Sequence, residues 1–513
     1  MENNTKTATN NASSSLLRKN IVLNTIFRVL MIIAPFITAP YVSRVLLSDG
    51  VGIYSYTQSL VTYFTMFAAL GTISYGTREI ARKRDNRSDY SKTFWEIELI
   101  SIICSAIALL AWIILSISYL EYRTFLLIFS FSILATCFDI SWLYAGLEKY
   151  KYTVGVNLLF KIISVVLIFV LVKKPDDVWL YILIYSASLF LGNASMWLFL
   201  PKILVKTKID KHSLKHHFKE TLIYFIPAVA TSLYTVLDKT LIGSLIPGTT
   251  TVIVDGEEVV KKTSEVESGY YEQATKIIDI VKAVAFVSIH SVMSSRSSYL
   301  YKIDDKKQIK ELMINTFDLT LFLSIGAAFG LIGVAPYFVP VFFGAGYDKT
   351  VLILQILACL VPIICISGAL GSVYYTPVGK RKQSSLFLII GAAINLGLSA
   401  PLIIYFQSVG AAIASVIAET VIVVLYFAFC KKAITLKEFL IVIWKKLIAG
   451  GLMLGSIFLF INFVSIPNKY LFFFVIFVLG FSIYILTLLA LRDRSMQKFI
   501  SLVFKRRKKD CEQ

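Results

Sequence analysis

The sequence predicts an all-α polytopic membrane protein of about fourteen transmembrane helices, built as two six-helix lobes in parallel repeat plus two C-terminal helices. Three observations carry this reading. Hydrophobic residues make up 57% of the 513 positions and the mean hydropathy is +0.73, more apolar surface than a soluble chain could hide. Charged residues, 16% of the chain, cluster between apolar stretches, each of roughly 20 residues and so long enough to cross a ~30 Å hydrocarbon layer as a helix. Lys and Arg are also asymmetric, with 38 in alternate inner segments against seven in the outer ones. That bias places both termini on the cytoplasmic side of the cell membrane.

The elements follow in order. A polar tail (residues 1–20) precedes the first apolar run, and no small-residue cleavage site follows it, so that run reads as a retained helix and not a signal peptide. Six crossings in 21–219 form an N-lobe, with apolar runs at 20–46, 51–77, 93–118, 124–146, 153–172 and 178–200. Six more in 220–438 form a C-lobe, at 221–246, 270–294, 311–335, 350–372, 384–404 and 409–429. Two further crossings lie in 439–491, with apolar runs at 447–464 and 470–491 after an inner segment (430–446) that ends at Lys446, and 492–513 is a basic cytoplasmic tail. The outer loop 247–269 is acidic, and its alternating run 252–260 predicts a β-hairpin turning at Asp255-Gly256. Short strings repeat six helices apart: Gly52-Ile53-Tyr54 with Gly269-Tyr270-Tyr271, and the segment after helix 4 (144–151) with that after helix 10 (375–382). A parallel repeat of this kind is a transporter habit, with substrate held between the halves.

Several function classes are disfavoured. The net charge of +19 is spent on topology, which removes nucleic acid as a partner. No GxxxxGK[ST] loop and no Asp-x-Asp triplet occurs, so neither an ATP-driven pump nor a metal-dependent sugar transferase is indicated, and the chain reads as a transporter and not an enzyme. The six cysteines form no CxxC and read as small apolar packing residues. His212, His216 and His217 read as part of a solvated basic loop, not a metal site; no cofactor is expected.

Ionisable side chains inside the bilayer are costly and are functional candidates by default. Helix 1 carries Asn20, Asn24 and Arg28 along one face, helix 5 carries Asn157 and Lys161, and Asp139 of helix 4 lies at the depth of Lys161, within reach of an ion pair. Helix 7 carries Asp238 and Lys239. On helix 8, Lys276, Asp279 and Lys282 share a face and could neutralise one another. Asp318 lies on helix 9 and Glu419 on helix 12. Counted this way, five core cations balance five core acids, so charge alone does not choose an anionic cargo.

The block from Arg18 to Phe64, the helix 7 string from Tyr234 to Gly243, Gly269 to Ile277 and Thr376 to Ser384 resemble the polysaccharide-unit flippases, in the superfamily that also holds the lipid II flippase and the multidrug and toxin exporters. The resemblance runs through helices 1 to 12. It implies alternating access by two lobes and a cargo of undecaprenyl-pyrophosphate-linked oligosaccharide, moved from the inner to the outer leaflet for capsule, exopolysaccharide or O-antigen-type polysaccharide. It also implies work beside glycosyltransferases and a polysaccharide polymerase. Arg28, Asn24, Lys161, Lys276 and Lys282 are the candidate contacts to pyrophosphate and sugar. Asp238, Glu419 and Asp318 are the candidates for coupling to H+ or Na+. The rival readings are a lipid II flippase, an ion-coupled drug exporter and, from another class, a membrane-embedded polymerase, which the short acidic outer loop disfavours.

Overall fold

The computed structural model describes the backbone of residues 2–254, 257–284, 288–303, 305–430, 434–464 and 466–497, and their side chains apart from 2–33, 227–228, 230–235, 253–254, 288–292, 294–295 and 306. Apart from one hairpin, the regular structure among these residues is helical. Among the described residues ten stretches are long and apolar enough to cross a membrane, and they coincide with the predicted third to sixth and ninth to fourteenth crossings. The first, second, seventh and eighth predicted crossings are not among these ten. Large apolar side chains stay exposed along many of the spans, among them Ile114, Leu452 and Phe481, which suits lipid as the surrounding medium. The chain divides into two compact units, Met1–Thr240 and Leu241–Gln513.

In the first unit, α1 (Glu2–Ala69) holds the first two crossings and breaks at Leu47, whose φ is 58°. After a turn at Gly71 comes α2 (Thr72–Lys83), which ends the second crossing. A Cβ on Gly71 would lie 2.8 Å from the Phe225 backbone nitrogen and 2.9 Å from the Thr221 carbonyl oxygen, and its φ of 75° is left-handed, so the close approach of the seventh crossing requires glycine. The third crossing, α3 (Arg87–Ser118), starts where Asn86 accepts the Ser88 N–H. The fourth is broken into α4 (Arg123–Ile128), α5 (Ser130–Cys137) and α6 (Ser141–Gly146). The sixth crossing repairs two of its carbonyls: Asn193 Nδ2 donates to Ala135 O at 2.8 Å and Trp197 Nε1 to Phe138 O at 3.0 Å. The fifth to seventh crossings are α7 (Tyr150–Leu171), α8 (Val178–Met196) and α9 (Lys211–Leu245). Two apolar cores result, one around Trp112, Phe129 and Tyr54, the other around Trp142, Phe94 and Tyr75.

The second unit opens with the predicted hairpin. Strands β1 (Thr249–Val254) and β2 (Glu257–Lys262) pair antiparallel, from Thr249 opposite Lys262 to Val254 opposite Glu257. That register leaves two residues for the turn; Asp255 and Gly256 themselves lie outside the described residues. Then come α10 (Thr263–Lys282) and α11 (Ser288–Lys302), and α12 (Lys306–Phe342), capped by Asp305 accepting the Gln308 N–H at 2.9 Å. The tenth crossing joins α13 (Asp348–Ala358), α14 (Leu360–Ala369) and a π-turn, Leu370–Tyr375. The last four are α15 (Arg381–Phe406), α16 (Ser408–Phe429), α17 (Leu436–Phe463) and α18 (Lys469–Ala490). Thr435 and Glu438 form a capping box on α17, while Asn468 caps α18. Met453, Ile457 and Tyr484 form a core where these two helices pack on α12, tied by Tyr484 OH donating to Phe322 O at 2.8 Å.

Candidate functional site

The candidate residues are distributed between the two units. In the first, the side chains of Asn24 and Arg28 lie outside the described residues. Lys161 is half-buried on α7, with its ammonium 5.9 Å from the centroid of the Tyr185 ring. That ring is held from α1, where Gln58 Nε2 donates to its hydroxyl at 3.2 Å and Tyr54 packs edge-on at 5.7 Å. The ion pair anticipated between Asp139 and Lys161 is not made among the described residues. Asp139 instead accepts the Ser141 N–H at 3.0 Å, serving the break between α5 and α6, because the interrupted backbone presents donors that a continuous helix would consume. Lys161 therefore keeps its charge uncompensated by any described carboxylate, with donors available for an anion. Asp238 is buried on α9, close enough to Tyr63 to act on it electrostatically. Tyr63 hydrogen-bonds Thr240 at 3.0 Å, and Thr240 donates to Ser59 at 2.9 Å.

In the second unit, the helix 8 cations are paired within α10. Lys282 lies 2.6 Å from Asp279, as its spacing allowed. Lys276 instead lies 3.4 Å from Glu272, one turn earlier, a partner the sequence reading did not weigh. Asp279 is 64% exposed and is no core acid. Glu419 is buried on α16 and accepts a hydrogen bond from Ser367 of α14. One turn before it, Ser415 accepts from Asn395 at 3.3 Å. Asp318 sits in a buried triad: Lys446 Nζ donates to Asp318 Oδ1 at 2.7 Å and to Asp493 Oδ2 at 2.9 Å. Lys446, assigned from sequence to an inner loop, is fully buried.

The zero sum of core charges is corrected accordingly. Among the described residues the buried ionisable groups are mostly acids, including Glu96, Glu98, Asp238, Glu267, Glu272, Asp318, Glu419 and Asp493, with Lys446 as the buried lysine. Glu96 and Glu98 lie inside the third apolar run, whose mean hydropathy hides single charges. His217 is corrected too. It is buried, with Nδ1 2.6 Å from the Tyr75 hydroxyl and Nε2 3.2 Å from Glu96 Oε2, and Ser213 donates to the same Glu96 oxygen at 2.8 Å. Burial holds its imidazole below the ordinary value of 6.5, with the Glu96 charge opposing that shift.

The sequence pattern of a family described as polysaccharide biosynthesis protein matches residues 17–294, and a second pattern with that description matches residues 258–352. A protein named "Putative O-antigen transporter" from Escherichia coli (strain K12) is 24% identical over 428 residues, covering 82% of this chain and 98% of that protein. Among solved structures, the lipid II flippase MurJ in an inward closed conformation superposes with a TM-score of 0.69 at 18% identity, covering 94% of this chain and 99% of that one. An inward-facing multidrug resistance MATE family transporter of the MOP superfamily gives a TM-score of 0.55 at 13% identity, covering 83% and 98%. At these identities the superpositions speak for the fold alone.

Proposed function

Because this chain belongs to the polysaccharide biosynthesis protein family, and so to the polysaccharide flippases of a multi-pass transporter fold, we propose that it flips an undecaprenyl-pyrophosphate-linked oligosaccharide repeat unit from the inner to the outer leaflet by alternating access. The product would feed assembly of a capsule, exopolysaccharide or O-antigen-type polymer, with glycosyltransferases and a polymerase working on either side of the step. The observation that carries this reading is the family match, which spans more than half of the chain.

The chemistry of the task supports it. An oligosaccharide with a pyrophosphate cannot cross hydrocarbon unaided, since its polar groups would lose their hydrogen bonds to water. Lys161, held on an aromatic ring and facing no described carboxylate, is suited to receive a phosphate oxygen. Arg28 and Asn24 join it in this reading, as do Lys276 and Lys282, which would exchange their intrahelical partners for the anion. Asp238 and Glu419 are the carboxyls proposed to take up a coupling H+ or Na+; Asp318, held by Lys446, is the weakest of the three candidates. Both termini are proposed to be cytoplasmic, from the Lys/Arg bias.

Depletion of the protein in its own host tests this. Lipid-linked repeat units should accumulate in the inner leaflet while lipid II stays at its normal level. Accumulation of lipid II with normal surface polysaccharide would transfer the proposal to the peptidoglycan precursor.

A further inference from the structure

Glu98 lies on α3, 1% exposed, and neither of its carboxyl oxygens has a hydrogen-bond partner. The residues one and two turns further along, Ser101 and Ser105, are buried on the same face. That face packs against α5, where Ser132 Oγ is buried and also lacks a partner. The titratable group that acts on Glu98 is Asp139 of the fourth crossing, and Glu98 in turn acts on Cys137 there. Among the described residues no lysine, arginine or histidine acts on Glu98. Glu96, two residues earlier, points elsewhere and is engaged by His217, Ser213 and the Asp210 N–H.

A carboxylate in such surroundings has neither a counter-ion nor a donor to replace its lost hydration, and a second carboxyl nearby adds repulsion. Asp139 has a use for its charge, since one of its oxygens accepts the Ser141 N–H at the helix break. Glu98 has none. A bare metal ion would need a shell of several oxygens, whereas Asp139 spends one on Ser141 and Cys137 offers only sulfur. A proton needs a single oxygen. We propose that Glu98 is a proton-binding site of the first unit, loaded opposite Asp139 across the contact between α3 and the broken fourth crossing. Displacement of the short α5–α6 segment would change what Glu98 faces, so proton release and movement of this crossing are linked.

The test is infrared spectroscopy of the purified full-length protein at neutral pH, in light and in heavy water. It reads the protein and not its cargo, so it stands whether or not the flippase proposal does. Wild type should show a neutral carboxylic-acid carbonyl band that shifts in heavy water. Glu98→Gln should lose one carboxyl's share of that band, Asp139→Asn should keep it, and replacing choline chloride by sodium chloride should leave it unchanged. An undiminished band in Glu98→Gln would overturn the proposal. So would a band lost in Asp139→Asn, or one abolished by sodium; these two arms hold even if Glu98→Gln fails to fold.

Discussion

The two units meet the same hazard, an ionisable side chain among apolar helices, to different degrees. In the second unit the buried acids are tied down: Asp318 and Asp493 share Lys446, Glu267 takes Lys349 at 2.7 Å, Glu272 takes Lys276 and Glu419 takes Ser367. In the first unit Glu96 is held by His217 and Ser213, but Glu98 has no hydrogen-bond partner, Asp139 serves a helix break, and Lys161 rests on a ring with no described carboxylate. A charge that its neighbours leave uncompensated in a membrane span is therefore the stronger functional candidate. Paired across elements, as Lys446 is with Asp318 and Asp493, it is a lock between helices.

The largest effect should come from breaking the tightest lock. Lys446→Met leaves two buried carboxylates facing each other and should destabilise the protein by about 3–5 kcal/mol. The measurement is the thermal midpoint in detergent, with Asp318→Asn and Asp493→Asn added to Lys446→Met restoring most of it. A midpoint unmoved by Lys446→Met would show that the triad is not a lock. Lys161→Ala should behave in the reverse manner. It should cost only about 0.5–1 kcal/mol of stability through the lost ring contact, yet cut export of surface polysaccharide at least tenfold in a complemented strain. Equal, small effects on both readouts would place Lys161 with the structural charges.

The smallest effect expected is the pH dependence of the first unit through His217. A base whose folded pKa is depressed binds fewer protons folded than unfolded. Its contribution is complete above the ordinary value of 6.5 and is lost as pH falls below it, toward the depressed folded value. The thermal midpoint should therefore fall on acidification below that value, and His217→Gln should flatten the slope. A slope unchanged in the variant would remove His217 from the account.

Much of the fold was legible, because lipid imposes a length and a composition on every span. The ten apolar stretches and the hairpin beside Asp255-Gly256 fall where the runs and the alternation placed them. The charges were legible as positions and not as partnerships. Spacing within one helix led to the Lys282–Asp279 pair, since neighbours on a helix are fixed by its pitch. It could not reveal that Lys446 reaches across to Asp318 and Asp493, contacts set by how α12, α17 and the segment after α18 pack. Lys446 follows Trp444 and Lys445 and so read as the end of a loop. His217 was misread for a related reason: its lysine-rich surroundings suggested water, while Tyr75 and Glu96, distant in sequence, bury it. A search for single acids inside long apolar runs would have found Glu96 and Glu98.

The central claim, transport of a lipid-linked oligosaccharide, is tested most directly by reconstitution. Purified protein in liposomes carrying a fluorescent undecaprenyl-pyrophosphate-linked repeat unit should render the inner-leaflet pool accessible to an external sugar oxidant, at a rate that falls at least tenfold in Lys161→Ala. Inner-leaflet label that stays protected in protein-containing liposomes, while lipid II in parallel vesicles becomes accessible, would contradict it.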